Sequence, residues 1–165
     1  MPKLSDCFSG CRISAHRNVD FLVIVNPNSG PGDSPLPGHD YVREVPKLNM
    51  QANVCTVGYV RIDYCKKPLS EVYEEIETYA GWAKDYENSG LGVKGILLDE
   101  TPNHHSTDRA EYLDAVRRHI KATEGIMGDR LVSTFRLCLI RDGRSPVLAR
   151  LLLSIFVFLN LTIWG

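Results

Sequence analysis

Residues 54–100 read VCTVGYVRIDYCKKPLSEVYEEIETYAGWAKDYENSGLGVKGILLDE, and the changes of pattern within this stretch decide the fold class. Val54–Val60 is a short run rich in β-branched and aromatic residues, which predicts a strand. Pro68 then suits the first turn of a helix. After it Leu69, Val72, Tyr73, Ile76, Ala80 and Ala83 follow the spacing of an amphipathic helix. Val93–Leu98, introduced by Gly92 and closed by Asp99-Glu100, reads as a second strand. Strand, helix and strand in this order make a βα unit, whose strands lie parallel in one sheet.

Working outward, Phe21–Val25 (FLVIV) is a continuous apolar run ended by Asn-Pro, as expected of a strand buried on both faces. Leu131–Leu139 is a weaker fourth candidate. Strand starts near 21, 54, 93 and 131 are spaced by about 33–39 residues, the length of a βα unit. Thr107–Thr123 places Ala110, Leu113, Val116 and Ile120 on one helical face, with Ser106 or Thr107 as the cap. Tyr41–Leu48 reads as a short helix or turn, because Pro46 would interrupt a longer one. The expected fold is α/β, either a doubly wound sheet or a partial (β/α)8 TIM barrel of about three to four βα units. A complete barrel usually needs about 250 residues, and this chain has 165.

Composition narrows the function classes. Nineteen basic residues stand against twenty acidic ones, and 44% of the chain is apolar. This profile excludes a disordered or collagenous chain. With no basic run, it also argues against a nucleic-acid partner. Cys7, Cys11, Cys55, Cys65 and Cys138 lack metal-site spacing. His104-His105 are adjacent and cannot chelate one ion from a regular element. No metal and no cofactor are therefore expected.

The ends differ from the middle. Residues 1–19 are polar and aperiodic, and they contain no apolar core of a signal peptide. Residues 139–165 turn from basic to apolar. Leu151–Trp164 is apolar over 14 residues, short of the roughly 20 that cross a bilayer. A membrane anchor with a basic flank, a buried core helix or strand, and non-native sequence at a gene-model boundary are the competing readings of this tail. The organisation expected is an irregular N-terminal segment (1–19), an α/β region (20–138) and a tail (139–165).

In either α/β architecture chemistry gathers at the carboxyl ends of the strands. The first strand runs into Asn26-Pro-Asn-Ser-Gly-Pro-Gly32, the second into Gly58-Tyr59 and on to Asp63-Tyr64, the third into Asp99-Glu100. A carboxylate at the end of a buried strand is poorly solvated, which suits it to acid–base work. Neighbouring strand residues point to opposite faces, so Asp99 and Glu100 are not expected to face one bond together. The Asn26–Gly32 loop could cradle a phosphate through its N–H groups or offer Asn26 and Asn28 amides to a sugar. Tyr59 is a candidate site-lining ring, whereas Tyr73, Tyr79 and Trp82 sit at helical spacing and are expected to pack.

Taken together, FLVIVNPNSGPG (21–32), VGYVRIDYCKKPLSEVYEEIETYAGW (57–82) and GVKGILLDETPN (92–103) resemble the spherulin-4 family in content, order and spacing. The resemblance covers about residues 20–125. It implies a TIM-barrel glycoside hydrolase of secreted or cell-surface type that acts on galactosamine-containing polysaccharides. It carries a catalytic role onto Asp99 and Glu100, with Asp99 as nucleophile or transition-state stabiliser and Glu100 orienting or assisting. It carries substrate binding onto Asn26, Asn28 and Tyr59. Two departures stand out. ISAHRNVD occupies the place of an extra aromatic strand, and after about Met127 no further βα unit supplies another carboxylate. A missing second acid would leave the chain inactive. The alternative is a non-catalytic cell-surface or membrane-anchored protein of the same fold. NPNSG also resembles the first loop of diacylglycerol-type lipid kinases, but the glycine-rich GGDGT-like turn of those enzymes has no counterpart here.

Overall fold

In the computed structural model, residues 13, 17–126, 130–133 and 155–159 are described. The elements in chain order are β1 (Phe21–Val25), α1 (His39–Asn49), β2 (Val54–Arg61), a 3-10 turn (Asp63–Cys65), α2 (Leu69–Gly81), a second 3-10 turn (Trp82–Asp85), the single-turn α3 (Tyr86–Ser89), β3 (Gly95–Asp99), α4 (Thr107–Ala122), β4 (Arg130–Ser133) and β5 (Ile155–Leu159). All strand pairs are parallel, in the order β4-β3-β2-β1-β5. The protein is thus α/β with a parallel sheet, as the βα spacing predicts.

Each element follows from its residues. Every residue of β1 is buried, which explains its unbroken apolar sequence: both faces are covered. Fully burying one Val, Leu or Ile side chain contributes roughly 1.5–3 kcal/mol. Ser106 caps α4, its hydroxyl accepting from Arg109 N at 3.3 Å, which satisfies an otherwise orphaned amide.

Two expectations are corrected. The segment around Pro46 is one helix of 11 residues with Pro46 inside it. The ring leaves the Val42 carbonyl without its helical donor, and the break is tolerated where Val42 lies on the exposed side, 39% accessible. Ala83 falls outside α2, since the α-helix ends at Gly81 and the chain tightens into a 3-10 turn. β3 starts at Gly95 and ends on Asp99, and β4 starts at Arg130. Residues 134–139 of the fourth predicted strand lie outside the described residues, as do residues 1–12 and most of the tail.

The two faces of the sheet differ. On one, Val23 and Val25 of β1, Val60 of β2 and Ile96 and Leu98 of β3 pack against Val45, Val72, Ile76, Tyr79, Val116 and Ile120 of the helices. On the other, Leu22, Ile24, Val57, Tyr59 and Leu97 form a cluster of strand residues alone, with Cys55 against it. A doubly wound sheet puts helices on both faces, and among the described residues they occupy one. Within the apolar tail, Ile155–Leu159 runs as a strand beside β1, from Phe21↔Ile155 to Val25↔Leu159. No helix among the described residues is long and apolar enough to cross a membrane.

Candidate active site

Strand alternation delivers side chains to the helix-free face at the carboxyl ends of β2 and β3. Leu97 and Asp99 share that face of β3, as Val57, Tyr59 and Arg61 share it on β2. The register sets Tyr59 opposite Leu97 and Arg61 opposite Asp99. The Tyr59 hydroxyl donates to Asp99 Oδ2 at 2.6 Å, and the Glu100 amide donates to Asp99 Oδ1 at 2.8 Å. Hydrogen bonds to an ionised acceptor are short and about twice as strong as neutral ones. Burial, and then the hydrogen bond to Asp99, push the Tyr59 hydroxyl well above the usual tyrosine range. Tyr59 therefore remains a neutral donor at any physiological pH.

Glu100 departs from the strand pattern. Its φ is 55°, a left-handed torsion that costs a residue with a β-carbon roughly 1 kcal/mol or more. This turn cancels the alternation, and Glu100 Oε2 accepts from Arg61 Nε at 2.9 Å. Asp99 and Glu100 thus meet side chains from the same face of β2, contrary to the expectation that they point apart. Arg61, which sequence reasoning passed over, was within reach of it: it lies two residues beyond Tyr59 on a strand of period two.

Tyr59 is fixed from behind as well. The Tyr79 hydroxyl accepts from Tyr59 N at 3.1 Å and lies 3.0 Å from both Val25 O and Tyr59 O. Tyr79 was expected only to pack; it also ties the ends of β1 and β2 together. Its ring explains Gly58: a β-carbon there would stand 2.8 Å from the Tyr79 ring. Burial holds the Tyr79 hydroxyl far above its ordinary range, so it stays protonated.

The Asn26–Gly32 loop is organised from within. Asn26 Oδ1 accepts from Gly30 N at 3.0 Å, and Asn28 N donates to Gly30 O at 3.1 Å. Two loop amides that a phosphate cradle would use are thereby occupied. Tyr41 donates to Asn26 O at 3.0 Å. Asn28 is exposed, and Asn26 is half-buried one residue past the Val25–Gly58 pairing. Gly30 approaches Glu75 of α2, where an added β-carbon would lie 3.3 Å from Oε1. Burial raises the Glu75 carboxyl above its usual range, against the pull of its partner Lys67. His104 and His105 are exposed loop residues. Among the described residues no group of three or more His, Cys, Asp or Glu could hold a metal ion.

This rim of crossed carboxylates can be set against known proteins. Residues 11–134 match Spherulin4, spherulation-specific family 4. The chain belongs to the spherulin-4 family. It is similar to Spherulin-4 of Physarum polycephalum, with 35% identity over 118 residues that make up 72% of this chain and 32% of the relative. It is also similar to the crystal structure of Aspergillus clavatus Sph3 in complex with GalNAc. That match has 42% identity and a TM-score of 0.71, and it covers 79% of this chain and 50% of the other. This spherulin-4 family chain therefore spans about a third of the first relative and half of the second.

Proposed function

We propose that this chain carries the catalytic rim of a (β/α)8-type glycoside hydrolase acting on a galactosamine-containing polysaccharide. The observation that carries the reading is the Tyr59–Asp99 hydrogen bond of 2.6 Å beside the Arg61–Glu100 ion pair. Two consecutive carboxylates at the end of β3 are thereby held by side chains of the adjacent strand β2. Helices on one face of a parallel sheet, with a cluster of strand residues on the other, support the barrel architecture. The bound GalNAc of the similar Sph3 structure supports an amino-sugar ligand.

Glycosidic hydrolysis uses two carboxyl groups, one to protonate the leaving oxygen and one to act on the anomeric carbon or on water. Asp99 receives donors on both of its oxygens, an environment suited to an ionised nucleophile or transition-state stabiliser. Glu100, set by Arg61, orients substrate or assists by protonating the leaving oxygen. That role is otherwise left to the second acid that no later βα unit of this sequence supplies. Tyr59 holds the Asp99 carboxylate and lines the site, with Asn26 and Asn28 on the neighbouring loop as further sugar contacts. A polymer substrate of this kind fits a protein that works outside the cell or at its surface.

The decisive experiment measures release of reducing amino sugar from a galactosamine polymer. Asp99→Asn lowers the rate by about 10²–10⁴-fold and leaves the melting temperature close to that of the unchanged protein. Equal rates in the two proteins refute the assignment.

A further inference from the structure

Beyond the acidic pair, the rim carries an aromatic ring that the core does not use. Tyr64 is 48% exposed and lies in the turn just past β2, which ends at Arg61. It stands in the middle of three successive left-handed residues, Asp63 (φ 45°), Tyr64 (54°) and Cys65 (68°). None is glycine, so each pays a steric cost. Local hydrogen bonds hold the run: Cys65 N to Ile62 O at 3.0 Å, Lys67 N to Ile62 O at 3.3 Å and Lys66 N to Asp63 O at 2.9 Å. A fourth bond ties it to the active rim, from Tyr64 N to Glu100 O at 2.8 Å. A turn that merely joined β2 to α2 would relax on taking Gly or Asn here. Instead, a strained backbone holds a solvent-exposed aromatic residue by its amide to the main chain of Glu100.

We propose that Tyr64 is a sugar-stacking platform: it forms the wall of a binding subsite next to Asp99 and Glu100 and favours galacto-configured amino sugars. The proposal rests on the glycan-cleaving reading above. In a galacto-configured ring the axial O4 leaves the C–H bonds of C3, C4 and C5 together on one face. That apolar, partly positive patch complements the electron-rich face of a phenol ring. In the gluco epimer O4 is equatorial, the C4 hydrogen turns to the other side and the patch shrinks. A free amine on the sugar adds the attraction of a cation for the same ring face.

The test is made on an Asp99→Asn background, so that ligand is not consumed. Binding of short galactosamine oligomers and of chito-oligosaccharides, the gluco-configured control, is measured by calorimetry alongside thermal melting. Tyr64→Phe and Tyr64→Trp keep the galactosamine affinity within about threefold. Tyr64→Gly and Tyr64→Asn, both at ease with φ near 54°, bind it roughly tenfold more weakly, lose the preference over chito-oligosaccharide, and melt at the same or a higher temperature. Unchanged affinity in the Gly and Asn variants overturns the proposal while the glycan reading stands. Weaker binding that follows a fall in melting temperature across all four variants also overturns it. If the parent binds no galactosamine oligomer, the glycan reading fails and takes the proposal with it.

Discussion

The ends of β1 and of the β2–β3 pair lie side by side yet are wired in opposite ways. Within the loop after β1 the bonds that set its shape are short-range: Asn26 bonds to Gly30, four residues on, and Asn28 to the same residue, while Tyr41 and Tyr79 reach main-chain oxygens of Asn26 and Val25. At β2–β3 they are long-range. Tyr59 reaches Asp99 across 40 positions and Arg61 reaches Glu100 across 39. A loop shaped mainly by its own bonds is a wall, and its geometry depends little on the strands beyond it. A cluster assembled across strands exists only in the folded sheet, and that dependence holds the carboxylates at fixed positions. On the proposed function, the difference separates residues that shape the site from those proposed to do its chemistry.

Substitutions can break that division. Tyr59→Phe removes the donor to Asp99 and keeps the ring, so kcat on a galactosamine polymer falls by about tenfold to a hundredfold, the worth of a hydrogen bond to a charged group, with little change in melting temperature. A stability loss with kcat intact would assign Tyr59 to packing instead. Gly58→Ala acts from the opposite face: the added methyl meets the Tyr79 ring at 2.8 Å, and overpacking of this kind costs about 1–3 kcal/mol in denaturant unfolding. Because Tyr79 braces Tyr59, kcat falls with it. Asn26→Ala has the smallest effect, about 1 kcal/mol of stability from one lost hydrogen bond, with KM changed more than kcat. A kcat loss as large as that of Tyr59→Phe would erase the distinction between wall and machinery.

The sequence makes the scaffold legible because burial writes directly into residue type. FLVIV has no polar residue since neither face meets water, and the face of α2 shows as a helical period because one side packs. Asp99, Glu100 and Tyr59 are legible as candidates because polar residues at the ends of apolar strands stand out. What escapes is set by torsion and distant contact. Nothing in the composition of LLDETPN announces that Glu100 turns left-handed, and so its meeting with Arg61 is invisible. Helix α1 continues through Pro46 because the carbonyl that loses its donor lies on an exposed side, a fact of tertiary placement. Tyr79 reads as core from its spacing, and its hydroxyl finds partners only when β1 and β2 come together.

The bend after β2 has a dynamic consequence. Ile62 N donates to Asp99 O at 3.1 Å and Tyr64 N to Glu100 O at 2.8 Å, so the ladder between β2 and β3 continues beyond the last paired strand residue. The acidic pair is thereby clipped to its neighbouring strand and moves with it as one body. The amides of Ile62 and Tyr64 should exchange with deuterium at the slow pace of the sheet, although Tyr64 lies in an exposed bend; rapid exchange would mean that the clip opens. A rim locked on this side keeps Asp99 and Glu100 in one fixed position relative to Tyr59 and Arg61.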